Sequence, residues 1–238
     1  MPVRLTTARL VLRGWQIDDA EEALTIFDRS EVTRWLSPTM DVVSDLAAMR
    51  LVLQQWIAED ARATPPTGRW AIERVDDGRL IGGLILLPLP PGHDDLEIGW
   101  QLHPDAWGHG FATEATRIVA EWAFSQSVAE LFVVVRPGNT RAVATARRNG
   151  MTWVGETGKY FGLTLQVYRL RPADLDRSAE QGDRPGSATG CTAQDAGRAT
   201  GIALVEQAHR ADASGRGSGI RVTGPIRPCR AATPPADR

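Results

Sequence analysis

The large aromatic side chains of this chain lie in its first three quarters, and this distribution restricts where a core can form. Aromatic rings bury the largest areas in protein interiors. After Pro172 the composition shifts to Gly, Ala, Arg, Ser, Thr and Pro, which cannot offset chain entropy by burial. We therefore expect one folded domain in residues 1–175 and a low-complexity, disordered tail in residues 176–238. The tryptophans are Trp15, Trp35, Trp56, Trp70, Trp100, Trp107, Trp122 and Trp153.

Charge, apolar runs and cysteine positions disfavour several classes of function. The net charge is −2 with no dense Lys/Arg run, so we expect no nucleic-acid binding. The longest apolar run, 80–89, is shorter than the roughly 18 residues of a membrane span, and the N-terminus lacks a signal pattern. This predicts a cytoplasmic protein without membrane insertion. Cys191 and Cys229 both fall in the tail, so the folded part has no cysteine-based zinc site or nucleophile, and we expect no metal.

Hydrophobic periodicity predicts one mixed α/β domain with the order β α α β β β α β α β β. An Asp-Asp-Gly turn at 76–78 predicts a hairpin between the second and third strands. The predicted strands span 6–13, 69–75, 80–88, 96–102, 131–135, 152–160 and 163–170, and the predicted helices span 18–28, 41–59, 113–126 and 139–149.

The stretch from Glu97 to Ala115 carries the strongest chemical signal. Gly108, Gly110 and Ala112 stand between a predicted strand and a predicted helix. Small residues there let backbone N–H groups approach a ligand, and the free N–H groups at a helix start attract phosphate. The preceding strand is the third of a meander, which excludes the dinucleotide fingerprint, and the Gly-Lys-Ser/Thr of a Walker A loop is missing. The sequence therefore predicts a different kind of phosphate-binding loop.

Two segments of this stretch, EIGW at 97–100 and PDAWGHGFATEA at 104–115, resemble the acetyl-CoA motif of the GNAT superfamily in its RimJ/RimL-like branch. The resemblance runs from residue 5 to about residue 170 and includes the opening TARLVLRGW, Asn-Gly-Met at 149–151 and the closing VYRL. It implies a mostly antiparallel central sheet of about six or seven strands with flanking helices. It also implies that the fourth and fifth strands splay around acyl-CoA.

The resemblance assigns acetyl-CoA to particular residues. It places the pyrophosphate on backbone N–H groups around His109, Gly110 and Ala112, with the Thr113 hydroxyl nearby. The pantetheine arm lies like an extra strand in the splay and pairs with the main chain of the fourth strand. The cofactor-binding residues so implied are Leu102, His103, Trp107, Gly108, His109, Gly110, Phe111, Ala112, Thr113 and Asn139.

Glu97 is the residue we predict as the catalytic base. It shares a strand face with Gly99 and Gln101, occupies the position of the family's frequent acidic residue, and can take the amine proton through a water. The family's Tyr or Ser acid is replaced by Ala146 and Ala142 at the matching positions. The general acid therefore stays unassigned, with water, Tyr160 and Tyr168 as the alternatives, and a thiol of pKa about 8.5 needs little help in leaving.

The resemblance implies acetyl transfer from acetyl-CoA directly to a primary amine, either a protein N-terminus or a small amine such as an aminoglycoside or polyamine. Trp15, Trp35 and Trp100 are candidates for the walls of the acceptor pocket. Arg147 and Arg148 fit either favourable charge at a helix end or attraction for cofactor phosphate. A homodimer is one possible assembly. The alternative function is a non-catalytic acyl-CoA-binding sensor or interaction module on the same fold.

Overall fold

A computed structural model describes residues 2–35, 42–89, 95–158 and 163–175. The predicted disordered tail, both cysteines and Tyr160 lie outside the described residues. The described strands are β1 (Leu5–Thr6), β2 (Leu10–Gly14), β3 (Gly68–Arg74), β4 (Leu80–Pro88), β5 (Leu96–Leu102), β6 (Leu131–Val135), β7 (Thr152–Thr157) and β8 (Leu165–Leu170). The described helices are α1 (Ala20–Phe27), α2 (Ser30–Thr33), α3 (Leu46–Asp60), α4 (Phe111–Ser125) and α5 (Thr140–Arg148).

Most predicted elements are present within a few residues, and the differences have local causes. The first predicted strand divides into β1 and β2 because Thr7 closes a turn with Leu10: the Leu10 N–H donates to the Thr7 hydroxyl at 2.9 Å. Eight strands result in the described part of the chain, against the six or seven expected. Helix α3 begins at Leu46 because the Asp45 side chain accepts from the Ala48 N–H at 2.9 Å as its N-cap. Helix α2 is too short to leave a periodic pattern.

The strands form one sheet in the order β1-β2-β3-β4-β5-β6-β8-β7, and every neighbouring pair is antiparallel except β5 and β6. These two parallel strands pair only at their amino-terminal ends, where Leu96 faces Leu131 and Glu97 faces Phe132. Beyond those pairs they diverge towards their carboxyl ends. The mixed fold and the expected splay are therefore confirmed.

Two helical layers cover the sheet. On one face, Ile98, Trp100 and Leu102 of β5 pack in a core that includes Phe111 and Val119 of α4. On the other face, α1 and α3 cover β4, where Trp15, Phe27 and Trp56 form an aromatic cluster. Since side chains alternate along a strand, Glu97, Gly99 and Gln101 of β5 belong to this second face. No helix among the described residues has the length and apolarity needed to cross a membrane.

Candidate active site

The loop between β5 and α4 turns through two glycines. After a 3-10 turn at Pro104–Ala106, Gly108 has φ of 81° and Gly110 has φ of 79°. Both values lie in the left-handed region, where a residue with a Cβ is strained. Gly110 is the N-cap of α4, so its conformation directs the chain into the helix.

This loop presents a run of backbone donors without acceptors. In the described part of the chain, no hydrogen bond is formed by the backbone N–H groups of residues 108–113. The first N–H of α4 with a helical partner is that of Glu114, which donates to the Gly110 carbonyl at 3.0 Å. Free N–H groups together with the positive end of a 15-residue helix form a binding site for an anion.

A cavity of about 1010 Å³ opens beside this loop, between the carboxyl end of β5 and α5. Helix α5 supplies its far wall. Sequence reasoning named Asn139 and the 147–148 arginine pair of this region but not Arg141 or Thr145, although Arg141, Thr145 and Arg148 recur at a spacing that places them on one helical face. The guanidinium of Arg141 lies 4.7 Å from the centre of the Trp107 ring. Of the neighbouring arginines 147 and 148, only Arg148 lines the cavity. The lining comprises Trp100, Leu102, Pro104, Ala106 to Thr113, Thr140 to Ala142, Ala144, Thr145 and Arg148.

The main chain of β5 offers hydrogen-bonding groups to the splay. The His103 N–H donates to the Ile81 carbonyl of β4 at 2.8 Å. Hydrogen bonding alternates along an antiparallel pair, so the polar groups of Trp100 and Leu102 point away from β4 and into the splay. The Leu102 carbonyl already accepts from the Trp107 indole N–H at 2.9 Å. Pairing with an extended ligand therefore fits Trp100 and Leu102, whereas the His103 N–H is committed to the sheet.

The His103 side chain has a local structural contact. Its Nδ1 accepts from the Asp105 N–H at 3.2 Å, which requires that nitrogen to be unprotonated. Burial lowers the pKa of His103, and Asp105 opposes this shift only in part. The ring is therefore neutral near pH 7, and its approach to the Asp105 carboxylate is not an ion pair.

Glu97 lies where β5 and β6 separate, with only 1% of its surface exposed. Burial raises the pKa of Glu97 to about 8, and a hydrogen bond from the Val134 N–H of β6 opposes the rise. The carboxyl of Glu97 therefore connects β5 to β6 where the two strands begin to separate. A carboxyl with this pKa is a stronger base than an ordinary glutamate, and its deprotonated form, which grows as pH rises towards 8, suits a general base.

Gln101 follows Glu97 on the same strand face, and its amide is isolated from the polar groups that the structure describes. The side chain is fully buried, and neither its Nε2 nor its Oε1 forms a hydrogen bond with a described residue. Gln101 lies opposite Gly83 of the neighbouring strand β4, and a Cβ added to Gly83 would lie 2.8 Å from Trp15. Trp15 therefore covers this part of the face. The sequence predicts that Gln101 lies on this face but assigns it no role, because the absence of a hydrogen-bond partner leaves no pattern in a sequence.

The three tryptophans predicted for the acceptor pocket occupy different places. Trp15 is buried in the aromatic cluster with Phe27 and Trp56, and Trp100 lines the large cavity on the α4 face. Trp35 lines a second cavity of about 290 Å³. All three assignments stay predictions.

Asn139 is buried at the N-terminus of α5, where its side chain accepts from the Ala142 N–H at 3.1 Å. It caps that helix and does not line the large cavity. The Tyr168 hydroxyl lies 3.4 Å from the Gln166 amide oxygen, and no general acid emerges from this contact. Among the residues described, no three His, Cys, Asp or Glu side chains lie close enough to hold a metal ion.

Comparisons with known proteins agree with this geometry. A family model for the acetyltransferase (GNAT) domain matches residues 9–152. The uncharacterized N-acetyltransferase YoaA of Bacillus subtilis is 34% identical over 124 residues, which are 51% of this chain and 66% of YoaA. The FsC-acetyl coenzyme A-N(2)-transacetylase of Aspergillus fumigatus is 26% identical over 64% of each chain. The chain thus spans just under two thirds of the length of both relatives.

Solved structures of acetyltransferases share the fold. RimJ of Mycobacterium smegmatis, in complex with CoA-disulfide, aligns with a TM-score of 0.62 at 19% identity, covering 73% of this chain and 89% of RimJ. The ribosomal-protein-S5-alanine acetyltransferase of Vibrio fischeri aligns with a TM-score of 0.59 at 15% identity, covering 73% of this chain and 98% of that protein. Similarity at these identities concerns the fold.

Proposed function

Because the chain belongs to the GNAT acetyltransferase family, we propose that it transfers the acetyl group of acetyl-CoA directly to a primary amine, with both substrates bound together. The acceptor is a protein N-terminus or a small amine. The observation that carries this proposal is the run of unpartnered backbone N–H groups at residues 108–113, which faces a large cavity beside the splay.

The loop and α5 together suit the anionic part of acetyl-CoA. Backbone donors at the start of α4 bind the pyrophosphate without a lysine. Arg148 and Arg141 line the same cavity and add positive charge for phosphate groups. The pantetheine arm then extends along the Trp100 and Leu102 main chain into the splay. RimJ, solved with CoA-disulfide on a similar fold, supports this choice of ligand.

Glu97 at the start of the splay suits the chemical step. The amine must lose a proton, which Glu97 takes through a water, before the nitrogen lone pair attacks the thioester carbonyl carbon. Main-chain N–H groups of β5 that point into the splay can donate to the carbonyl oxygen as negative charge develops there. The nitrogen then sheds its second proton as the C–S bond breaks, and that proton reaches the leaving thiolate through water, which leaves the acetyl group on the nitrogen as an amide and coenzyme A as a free thiol. Holding both reactants in one splay supplies the proximity that direct transfer requires.

Calorimetric titration with acetyl-CoA and desulfo-CoA tests the cofactor site. We expect wild type to bind both and Gly110→Trp to bind neither, because the new side chain strains the loop and fills the anion site. Gly78→Trp is the matched control, since Gly78 also has a positive φ, of 69°, but lies in the β3–β4 turn. Thermal melting of each variant checks folding.

Release of free thiol in the presence of a panel of amines then tests the transfer step. Turnover with at least one amine supports the enzyme. Binding without turnover on any amine favours the acyl-CoA sensor, and no binding to folded wild type overturns the proposal.

A further inference from the structure

A second cavity lies at the carboxyl end of β6, on the sheet face opposite the large cavity. Arg136 and Pro137, which directly follow β6, line it, and so does Leu163. Leu163 packs against the small cluster that contains Val134, whereas Val135 belongs to the core cluster on the α4 side, which also contains Ala142 of the large cavity. The two cavities therefore flank the open end of the splay from its two sides. An acceptor in the second cavity approaches from the face that carries Glu97.

The described lining of this second cavity contains basic side chains and no acidic one. Its residues are Arg34, Trp35, Arg136, Pro137, Leu163 and Thr164. Arg34 forms no ion pair with any described residue, and its guanidinium lies 5.1 Å from the centre of the Trp35 ring. Stacking on an aromatic ring holds a guanidinium in place while leaving its N–H groups available.

The Trp35 indole adds a neutral donor to this cationic lining. Its Nε1 is buried and has no hydrogen-bond partner among the residues that the structure describes. A buried donor without a partner destabilises the folded protein, so a ligand acceptor at this point restores a lost interaction. An indole N–H donates only, and an arginine donates only. The cavity thus presents donors and positive charge to whatever it holds.

We propose that this second cavity binds a carboxylate of the acceptor, so that the substrate is an amine whose own skeleton carries a carboxylate. This inference rests on the proposed function and narrows its acceptor class. An arginine fork matches a carboxylate, and the indole N–H supplies a further donor. Polyamines and aminoglycosides are disfavoured because their ammonium groups would face the guanidinium of Arg34. The volume of about 290 Å³ is at the low end for ligand sites, which suits an amino acid or the first residues of a peptide.

Matched amine pairs test the proposal in a thiol-release assay with acetyl-CoA. Alanine is compared with ethylamine, leucine with isoamylamine, and the dipeptide Ala-Glu with Ala-Gln, both as C-terminal amides so that only the Glu side chain carries a carboxylate, with spermidine as the polycation. We expect kcat/KM to be at least about tenfold higher for the carboxylated member, the size of one charge-assisted hydrogen bond. A preference for the free amino acids indicates a small substrate, and a preference confined to Ala-Glu indicates a peptide.

Variants connect this preference to the cavity. The ratio of kcat/KM for the carboxylated amine to kcat/KM for its uncarboxylated partner should fall towards one in Arg34→Gln. It should also fall in Trp35→Phe, which removes the indole N–H but retains an aromatic ring. Arg62→Gln is the matched control, because Arg62 is exposed beyond α3 and does not line the cavity. Affinity for acetyl-CoA should be unchanged in all three. Equal rates for both members of each pair, a preference for spermidine, or an unchanged ratio in Arg34→Gln would overturn the inference.

A binding measurement separates this inference from the proposed function. Calorimetry with N-acetylalanine in the presence of CoA should show binding to wild type and about tenfold weaker binding to Arg34→Gln. If no amine supports thiol release but this Arg34-dependent binding persists, the proposed transfer fails and the carboxylate site stands. Turnover on amines without such binding leaves the transferase in place and rejects the carboxylate site.

Discussion

At the scale of single residues, Glu97 shows how burial sets a chemical property. Its pKa rises from the ordinary 4.5 to about 8 because the folded protein withholds water from the carboxylate. If Glu97 is the base, kcat/KM should rise with pH up to about 8 and then level off. Glu97→Gln should lower kcat/KM and remove this rise. A pH–rate profile of the variant with the same rising limb would reject Glu97 as the base.

The same burial predicts a pH-dependent stability. Between pH 4.5 and about 8 the folded state keeps a proton that the unfolded chain releases, so the free energy of unfolding falls as pH rises through this range. Glu97→Gln removes that loss and should exceed wild type in stability by up to roughly 5 kcal/mol at pH 9. Urea unfolding of both proteins at pH 6 and pH 9 measures the difference. Equal differences at the two pH values would contradict the raised pKa.

Gln101 is the second residue whose burial has a measurable cost. Within the described part of the chain, both polar atoms of its amide lack partners, so replacing Gln101 with an apolar side chain of similar length should stabilise the protein. Gln101→Met should raise the free energy of unfolding by roughly 1–3 kcal/mol in urea titrations. Gln101→Glu, which would bury an unpaired carboxylate, should lower it. A loss of stability in Gln101→Met would mean that the amide has a partner within the protein.

At the scale of elements, α5 depends on its cap to hold two arginines beside the large cavity. Asn139→Ala removes the side-chain acceptor for the Ala142 N–H and should lower the free energy of unfolding by about 0.5–2 kcal/mol. Asn139→Ser retains a capping oxygen and should lose little stability. Thermal unfolding and acetyl-CoA titration of both variants separate capping from contact with the cofactor. Weakened binding in a stable Asn139→Ser would point to direct contact.

The elements also show which site residues a sequence pattern can reveal. The glycine loop was predictable because its chemistry is contiguous: two positive-φ residues lead directly into a helix N-terminus. The α5 wall was predicted only in part. Attraction of Arg148 for cofactor phosphate was one of two alternatives and Arg141 was not named, because a charge on a helix does not indicate which groups the charged face contacts. The direction in which each N–H and C=O group of β5 points depends on which residues of β5 form hydrogen bonds with β4. Only strand pairing reveals that Trp100 and Leu102, and not His103, offer N–H groups to the splay.

At the scale of the whole molecule, the domain boundary near residue 175 is a prediction from composition. Leu175 is 96% shielded and packs in the main core, and its carbonyl accepts from Arg117 at 3.4 Å. A chain ending at residue 178 should therefore melt within about 4 °C of the full chain and bind acetyl-CoA equally well. A chain ending at residue 170 should melt at a lower temperature. A large drop for the longer fragment would show that the tail supports the fold.

The sequence by itself determined most of the elements, the mixed fold and the glycine loop before α4, because periodicity, glycine conformation and helix starts are local properties. The tertiary structure alone decided which distant groups meet. Packing around the paired ends of β5 and β6 buries Glu97 and raises its pKa, and packing on the same sheet face leaves Gln101 without a partner among the described residues. The segment that follows β6 places Arg136 in the same cavity lining as Arg34 and Trp35. Contacts between residues that are distant in the sequence depend on burial and long-range packing, which no short stretch of sequence encodes.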